Sequence, residues 1–301
     1  EKLDTSTAIR QVAVGTDGIG GAAYFYLTAV GDILFYSLRA IVSLLLRGRA
    51  EKLDTSPLPT AAAASVTERS LLSVVIPAYN EGSAIADAVS AALQLDVHVE
   101  VVVVDGGSTD GTAEWARKAG ARTLTAPSGR AACLNAGAAA AAGDLLLFLH
   151  ADTILPQGYG SATRQALADP SIAISAFTLS LHPPLPLLAL IEHGANQRSI
   201  LRSLPYGDQS LALRRETFRA LGGFPPNPLL EDLDLVRQAY RRGGRVVTLK
   251  HKVRSSARRW QKFGVLGNTM RNQCVLLGHA VGVPVHRLAR WYYGRSGSKA
   301  Y

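Results

Sequence analysis

Two carboxylates, each released from an apolar run, set the chemistry open to this chain. Val101–Val104 ends at Asp105 in Val-Asp-Gly-Gly-Ser-Thr-Asp-Gly-Thr, and Leu145–Leu149 continues through His150 and Ala151 to Asp152. Carboxylates at the carboxyl ends of buried strands stand where open α/β sheets bind their ligands. A nucleotide base and a metal-bound diphosphate are what such a pair would hold, which points to nucleotide-sugar chemistry. An earlier strand leaves through Pro77-Ala78-Tyr79-Asn80-Glu81. Pro77 takes the chain out of the ladder, Tyr79 can lie against a base, and Glu81 caps the next helix. Asp105 can accept hydrogen bonds from a base or ribose, Gly106 and Gly107 permit close backbone approach, and Asp110 starts the following helix. Turn chemistry explains the glycines, but not two neighbouring strands that both end in polar groups of this size.

Common phosphate motifs are excluded. Gly106 and Gly111 have P-loop spacing, but Thr112 stands where the lysine is required, and a dinucleotide fingerprint needs glycine where Ser108 stands. ATP hydrolysis and hydride transfer to a nicotinamide are therefore disfavoured. Cys133 and Cys274 are far apart and lack metal-ligand spacing, so no disulfide framework is expected and a reducing compartment suits them.

These residues need a scaffold, and the pattern supplies an α/β one. Strands are expected at 71–77, 99–105 and 144–149, with helices at 83–95, 110–119 and 130–142. Such alternation argues a mostly parallel, Rossmann-like central sheet flanked by helices. Past residue 170 the pattern loosens, with strands expected at 172–181 and 210–213 and helices at 187–201 and 231–242. The chain divides into an N-terminal segment (1–54), a Pro/Ala/Ser linker (55–70), a catalytic domain (71–255) and a basic C-terminal segment (256–301). Glu-Lys-Leu-Asp-Thr-Ser occurs at 1–6 and again at 51–56, but no other similarity accompanies it, so this is not a solenoid repeat.

Residues 22–46 are long enough to span a bilayer, but Asp32 and Arg39 raise the insertion cost by roughly 5 kcal/mol. Seven apart, these charges share a helical face, so an apolar N-terminal helix lying on a membrane or docked on the domain is expected, and not a signal peptide. The net charge of +9 is concentrated late: residues 235–301 carry fifteen Lys/Arg and no carboxylate. Such a segment faces anions: donor phosphates, lipid headgroups or nucleic acid. Residues 263–285, apolar but broken by Asn268, Arg271, Asn272, Gln273 and His279, suit an amphipathic helix.

Taken in order, these motifs resemble those of the inverting family 2 glycosyltransferases of GT-A fold, over residues 71–262. Ser73–Gly82 is similar to the opening nucleotide-binding strand of that family, and Val102–Thr112 to its base-holding Asp turn. Arg130–Gly137 resembles the segment whose basic residue touches the nucleotide or diphosphate. Leu147–Thr153 corresponds to the Asp-x-Asp metal motif, Glu231-Asp232 to the acceptor-activating pair, and Ser256-Ala257-Arg258-Arg259-Trp260 to the Arg/Trp motif near the diphosphate. Phe-Leu-His-Ala-Asp-Thr, Tyr-Gly-Asp-Gln, Glu-Asp and Ser-Ala-Arg-Arg-Trp together resemble a bacterial subgroup labelled as arsenosugar-biosynthesis glycosyltransferases.

The resemblance implies transfer of a sugar from a nucleotide-sugar donor, a UDP-sugar by expectation, to an acceptor hydroxyl. Donor contacts would come from Pro77, Ala78, Tyr79, Glu81, Asp105, Gly106, Ser108, Arg130 and Ala151. Asp152 would ligate Mg²⁺ or Mn²⁺; His150, standing where the family has aspartate, would add a ligand favouring Mn²⁺ or orient ribose or water. Asp232 would act as base, Glu231 would hold the acceptor or cap its helix, and Arg259 would offset leaving-group charge. Asp208, Gln209 and Trp260 would line the acceptor side. The acceptor would be a small molecule or a lipid met at the cytoplasmic face of a membrane, to which the protein would be peripheral. A nucleotidyltransferase is the enzyme alternative, although Pro-Ala-Tyr-Asn-Glu is no triphosphate loop. A basic anion- or nucleic-acid-binding protein is the non-catalytic one. Because few aromatics interleave with the arginines, nucleic acid is not an expected partner.

Overall fold

The computed structural model describes residues 56–58 and 66–294 apart from 128 and 186; the expected N-terminal helix lies outside the described residues. Strand β1 (Leu72–Ala78) is buried along its whole length, as a continuous apolar run covered on both faces must be. Helix α1 (Ala84–Leu95) leads to β2 (Val99–Asp105), α2 (Thr112–Lys118) to β3 (Arg122–Thr125), and α3 (Arg130–Ala140) to β4 (Leu145–Phe148). These four strands are parallel in the order β3-β2-β1-β4. Helix α3 lies close on the sheet because Gly137 has no side chain: a Cβ there would meet the Val75 side chain and stand 2.9 Å from Val104 Cγ2.

The rest of the chain provides β5 (Thr153–Ile154), α4 (Tyr159–Leu167), β6 (Ile172–His182), α5 (Leu188–Arg202), a 3-10 turn at Gly207–Gln209, β7 (Leu211–Arg214), α6 (Arg215–Ala220), α7 (Glu231–Arg241) and β8 (Arg245–Ser256). It ends in α8 (Arg258–Phe263), α9 (Val265–Ala280) and α10 (Val285–Tyr293). The eight strands form one sheet, β3-β2-β1-β4-β7-β6-β8-β5. The expectation of a mostly parallel sheet holds, since β6 and β8 also pair in parallel and only β7 and β5 run against the rest. β7 runs antiparallel to both β4 and β6, and β5 antiparallel to β8. β7 starts at Leu211 opposite Phe148, the end of β4, so it must run back along that strand.

Two buried arginines brace this frame. Arg164 forks onto Asp96 (2.7 and 3.2 Å) and donates to the carbonyls of Ser70 (2.8 Å) and His98 (2.7 Å), tying α4 to the strand edges. Arg214 donates to four carbonyls between Leu167 and Ile172. Phe148, Phe218 and Phe224 form an aromatic cluster with centroids 4.7–5.5 Å apart. Asn135 bonds both the N–H and C=O of Phe224, at 2.9 and 2.8 Å. The loop that delivers Glu231 is thereby anchored to α3 and β4. Among the described residues, no helix is long and apolar enough to cross a membrane.

Candidate active site

The loops that leave β1 and β2 are stitched together. Asn80 N–H donates to Ser108 Oγ (2.9 Å) and Asn80 Oδ1 accepts from Thr109 N–H (2.9 Å). Glu81 N–H donates to Thr112 Oγ1 (2.9 Å), and Gly82 N–H to Asp110 Oδ2 (2.8 Å). Ser-Thr-Asp-Gly-Thr therefore fixes the neighbouring loop, and with it Tyr79 and Glu81.

That loop forms one wall of a cleft of about 550 Å³ over the point where parallel strands give way to antiparallel ones. The exits of β1 (Pro77, Tyr79, Glu81) and β4 (His150, Ala151, Asp152) meet there with Arg258 and Arg259 from α8. Asp208, Glu231 and Asp232 face them, and Asn268, Tyr292 and Tyr293 of α9 and α10 close the far side. Because β8 runs beside β5, Ser256 N–H donates to the Asp152 carbonyl (3.2 Å) and the next residues arrive beside the Asp152 side chain.

Gly207 is the point of closest approach. Its N–H donates to Asp232 Oδ2 (2.5 Å), while the second carboxylate oxygen accepts from Leu233 N–H (2.8 Å). A Cβ at Gly207 would stand 2.6 Å from Arg130 Nη2, 2.7 Å from Asp232 Oδ2 and 3.2 Å from His150 Nε2. The residue before the acidic pair, Leu230, has φ +65°, a left-handed conformation costly for a branched side chain.

Charge is arranged tightly. Arg130 Nε pairs with Glu231 Oε1 (3.1 Å), and its Nη2 bonds His150 Nε2. Guanidinium can only donate, so that imidazole nitrogen accepts and the ring is neutral. Burial first, then the cations Arg130, Arg259 and Arg258, hold the His150 pKa well below its usual value. Burial raises the Glu231 carboxyl despite Arg130, and the neighbouring Asp232 adds to the effect; burial likewise raises Asp208. Asp208 Oδ1 and Trp260 Nε1 are buried without a hydrogen-bond partner among the described residues, while the buried Glu231 Oε1 has the Arg130 ion pair.

The structure brings together most of the residues singled out by sequence: Pro77, Tyr79, Glu81, Arg130, His150, Ala151, Asp152, Asp208, Glu231, Asp232, Arg259 and Trp260 all line the cleft. Ala78, Asp105, Gly106, Ser108 and Gln209 do not. The Asp105 carboxylate is turned onto its own loop, bonded by the Ser108 hydroxyl and by the N–H groups of Gly107 (3.3 Å) and Ser108 (3.1 Å). Ser108 Oγ in turn serves Asn80. Gln209, expected on the acceptor side, is fully buried, and its amide donates to the Phe177 carbonyl (3.0 Å). A residue flanking strand β7 points inward whenever its register requires it, and a sequence offers no register.

Sequence reasoning placed Arg258 in the Arg/Trp motif but gave it no role of its own. Its guanidinium forks onto Glu81 (2.5 and 2.8 Å) and places Nε 3.1 Å from Asp152 Oδ2. The paired arginines before Trp260 were the available signal. Gly207 left no chemical signal at all.

Among the described residues, no three His, Cys, Asp or Glu side chains gather as a metal cage. Asp152 offers one hard oxygen donor in a polar cleft, which fits a divalent ion whose other ligands are diphosphate oxygens and water. The Nε2 lone pair of His150 is already engaged by Arg130, so the geometry opposes His150 as a ligand.

Residues 73–179 match the family described as Glycosyl transferase family 2. A curated relative, the undecaprenyl-phosphate 4-deoxy-4-formamido-L-arabinose transferase of Aeromonas hydrophila, is 40% identical over 98 residues, which is 29% of this chain and 30% of the relative. The chain thus spans under a third of that relative's length. The fold is similar to a Pyrobaculum calidifontis mannosyltransferase solved with GDP-Man and Mn²⁺: TM-score 0.55, 21% identity, covering 84% of this chain and 71% of that one. It is also similar to Mycobacterium tuberculosis glucosyl-3-phosphoglycerate synthase solved with Mn²⁺, UDP and glucosyl-3-phosphoglycerate, with TM-score 0.52, 22% identity, and 78% and 87% coverage. Staphylococcus aureus TarS residues 1–349, solved with UDP-GlcNAc, gives TM-score 0.52, 18% identity, and 73% and 70% coverage.

Proposed function

We propose that this chain, whose residues 73–179 match glycosyl transferase family 2, is a metal-dependent inverting glycosyltransferase. It takes a sugar from a nucleotide-sugar donor, a UDP-sugar by preference, to an acceptor hydroxyl. The supporting observation is the single cleft that holds Asp152, the cations Arg130, Arg258 and Arg259, and Asp232. Two of the solved neighbours carry UDP or UDP-GlcNAc and one GDP-Man, so the base is the finer part of the proposal.

Asp152 and the donor diphosphate would hold Mg²⁺ or Mn²⁺, which neutralises charge on the leaving group. Arg259 adds fixed positive charge there, and Arg130 does so while anchored by Glu231. Asp232, oriented by two backbone N–H groups, takes the proton of the acceptor hydroxyl as its oxygen attacks the anomeric carbon from the face opposite the diphosphate. One displacement inverts the configuration. The unpartnered atoms of Asp208 and Trp260 are positioned to bind sugar hydroxyls. The curated relative's name specifies a lipid phosphate. A placed carboxylate base suits a hydroxyl acceptor better, since a phosphate oxygen is already ionised. That hydroxyl belongs to a small molecule or a lipid presented at the cytoplasmic face of a membrane. Among the described residues the cleft presents no feature specific to an arsenic-bearing sugar.

The test is UDP release from a panel of UDP-sugars with Mn²⁺. Asp232→Asn should lower the rate by a factor of roughly 10²–10⁴ while UDP with Mn²⁺ still raises Tm. Release that is unchanged in this variant would remove the proposed base and the mechanism with it.

A further inference from the structure

The basic C-terminal helices present a surface that donor chemistry does not use. Helix α9 has two faces. Asn268, Asn272, Val275 and Leu276 look into the cleft. On the other side Leu266 (72% exposed), Met270 (63%) and the exposed Cys274 recur at intervals of four, which places them on one face. Phe263 and Trp291, also exposed, flank this strip from α8 and α10. The strip is rimmed by cations. Lys262 lies 5.4 Å over the Phe263 ring, Arg271 lies 4.4 Å from the same ring and 5.1 Å from that of Tyr292, and Arg287 and Arg290 are exposed on α10. From residue 235 to the end there is no carboxylate to oppose them.

We infer that the outer face of α9, with Phe263 and Trp291 beside it, docks on an anionic lipid surface. Large apolar side chains standing in water beside unopposed arginines fit the headgroup boundary of such a bilayer: the side chains enter the acyl edge and the cations meet the phosphates. An acidic surface alone would satisfy the arginines but would leave Leu266, Met270 and Trp291 without apolar cover. Docking needs no donor and stands by itself. Its consequence for the acceptor, that the helix walling the cleft also rests on the bilayer so that a lipid-borne hydroxyl is within reach, rests on the transferase reading.

Cys274 provides the probe, because Cys133 is buried and only Cys274 is exposed. The full chain is labelled with a polarity-sensitive fluorophore at Cys274 and mixed with phosphatidylcholine vesicles with or without phosphatidylglycerol. Emission should shift to the blue with the anionic vesicles only, and high salt should reduce the shift. The double variant Leu266→Asp/Met270→Asp should partition at least tenfold more weakly in sedimentation while retaining the Tm rise with UDP and Mn²⁺. Equal binding by that variant would place the contact elsewhere in the chain and overturn the inference. A probe already shifted without vesicles would also overturn it, as the strip would be covered by a second copy or by this chain. Loss of the UDP response in the parent protein, with vesicle binding intact, would instead sink the transferase reading alone.

Discussion

Gly207→Ala adds one methyl group where Arg130 Nη2 is 2.6 Å and Asp232 Oδ2 is 2.7 Å away. Ordinary contact begins at about 3.4 Å, so each atom must retreat by 0.7–0.8 Å. Neither can do so freely. Arg130 is tied to Glu231 and His150, and Asp232 is held by the N–H that the substitution itself displaces. Misplacing a reacting group by about 1 Å can cost 10²-fold, so a shift of this size should lower UDP release roughly 10- to 100-fold, or about 1.4–2.7 kcal/mol of barrier. Overpacking adds a stability loss of about 1–3 kcal/mol. Assays must therefore run well below the variant's Tm. Donor affinity, read from Tm against UDP with Mn²⁺, should fall less than the rate, because Arg130 is displaced but Asp152 is not crowded. Gly194→Ala is the matched control: it lies in α5 with nothing within 4 Å of an added Cβ, and should leave the rate unchanged. If Gly207→Ala releases UDP within threefold of the parent rate, the close packing around Asp232 has no part in catalysis and the geometric argument fails.

Arg258→Gln removes the guanidinium that competes for Asp152. Free Mn²⁺, followed by electron paramagnetic resonance, should bind roughly fivefold more tightly, the equivalent of about 1 kcal/mol for a half-exposed pair; unchanged affinity would mean that Arg258 does not guard the carboxylate. Asp152→Asn should abolish the Mn²⁺-dependent part of the Tm rise with UDP, and retention of that part would place the ion elsewhere. Arg164→Ala strands Asp96 and the part-buried carbonyls of Ser70 and His98 and should cost about 3–5 kcal/mol in urea unfolding at pH 7. Burial alone would raise the Asp96 carboxyl, but the Arg164 hydrogen bond and the His98 N–H bring it below its usual value. Its stabilising contribution is therefore complete above about pH 4 and is lost as pH falls through the lower folded-state pKa. The parent should lose stability over that acidic window and Arg164→Ala should lose less, so parallel pH profiles would contradict the pairing.

Strands β1, β2 and β4 were legible because they are largely buried and read as mainly apolar runs, whereas the partly exposed edge strand β3 (Arg122–Thr125) was not. Nor was β8. Lys250, His251, Lys252 and Arg254 make it look like a surface segment, and only pairing with β6 shows it as a twelve-residue strand. The amphipathic helix expected at 263–285 is α9, which ends before Gly282 and Pro284, and the further helix α10 beyond them was not expected.

Residue type at the end of an apolar run nominated Asp152, whereas Arg130, Glu231, Asp232 and Arg259 were nominated by the ordered set of motifs that resembles family 2. Which way each points was decided by register and by long-range contact. Asp105 looked like a ligand for a base, but loop closure turned its oxygens onto Gly107 and Ser108. Gln209 faces the core because the turn before β7 presents it to Phe177. Arg258 reaches Glu81 across 177 residues of sequence, and Gly207 matters only because three side chains from distant segments converge on its missing methyl group. The chain's composition and order fixed which chemical groups exist and on which kind of element; the packing of the mixed sheet decided which of them share a cleft, because distance between side chains is a property of the fold and not of spacing along the chain.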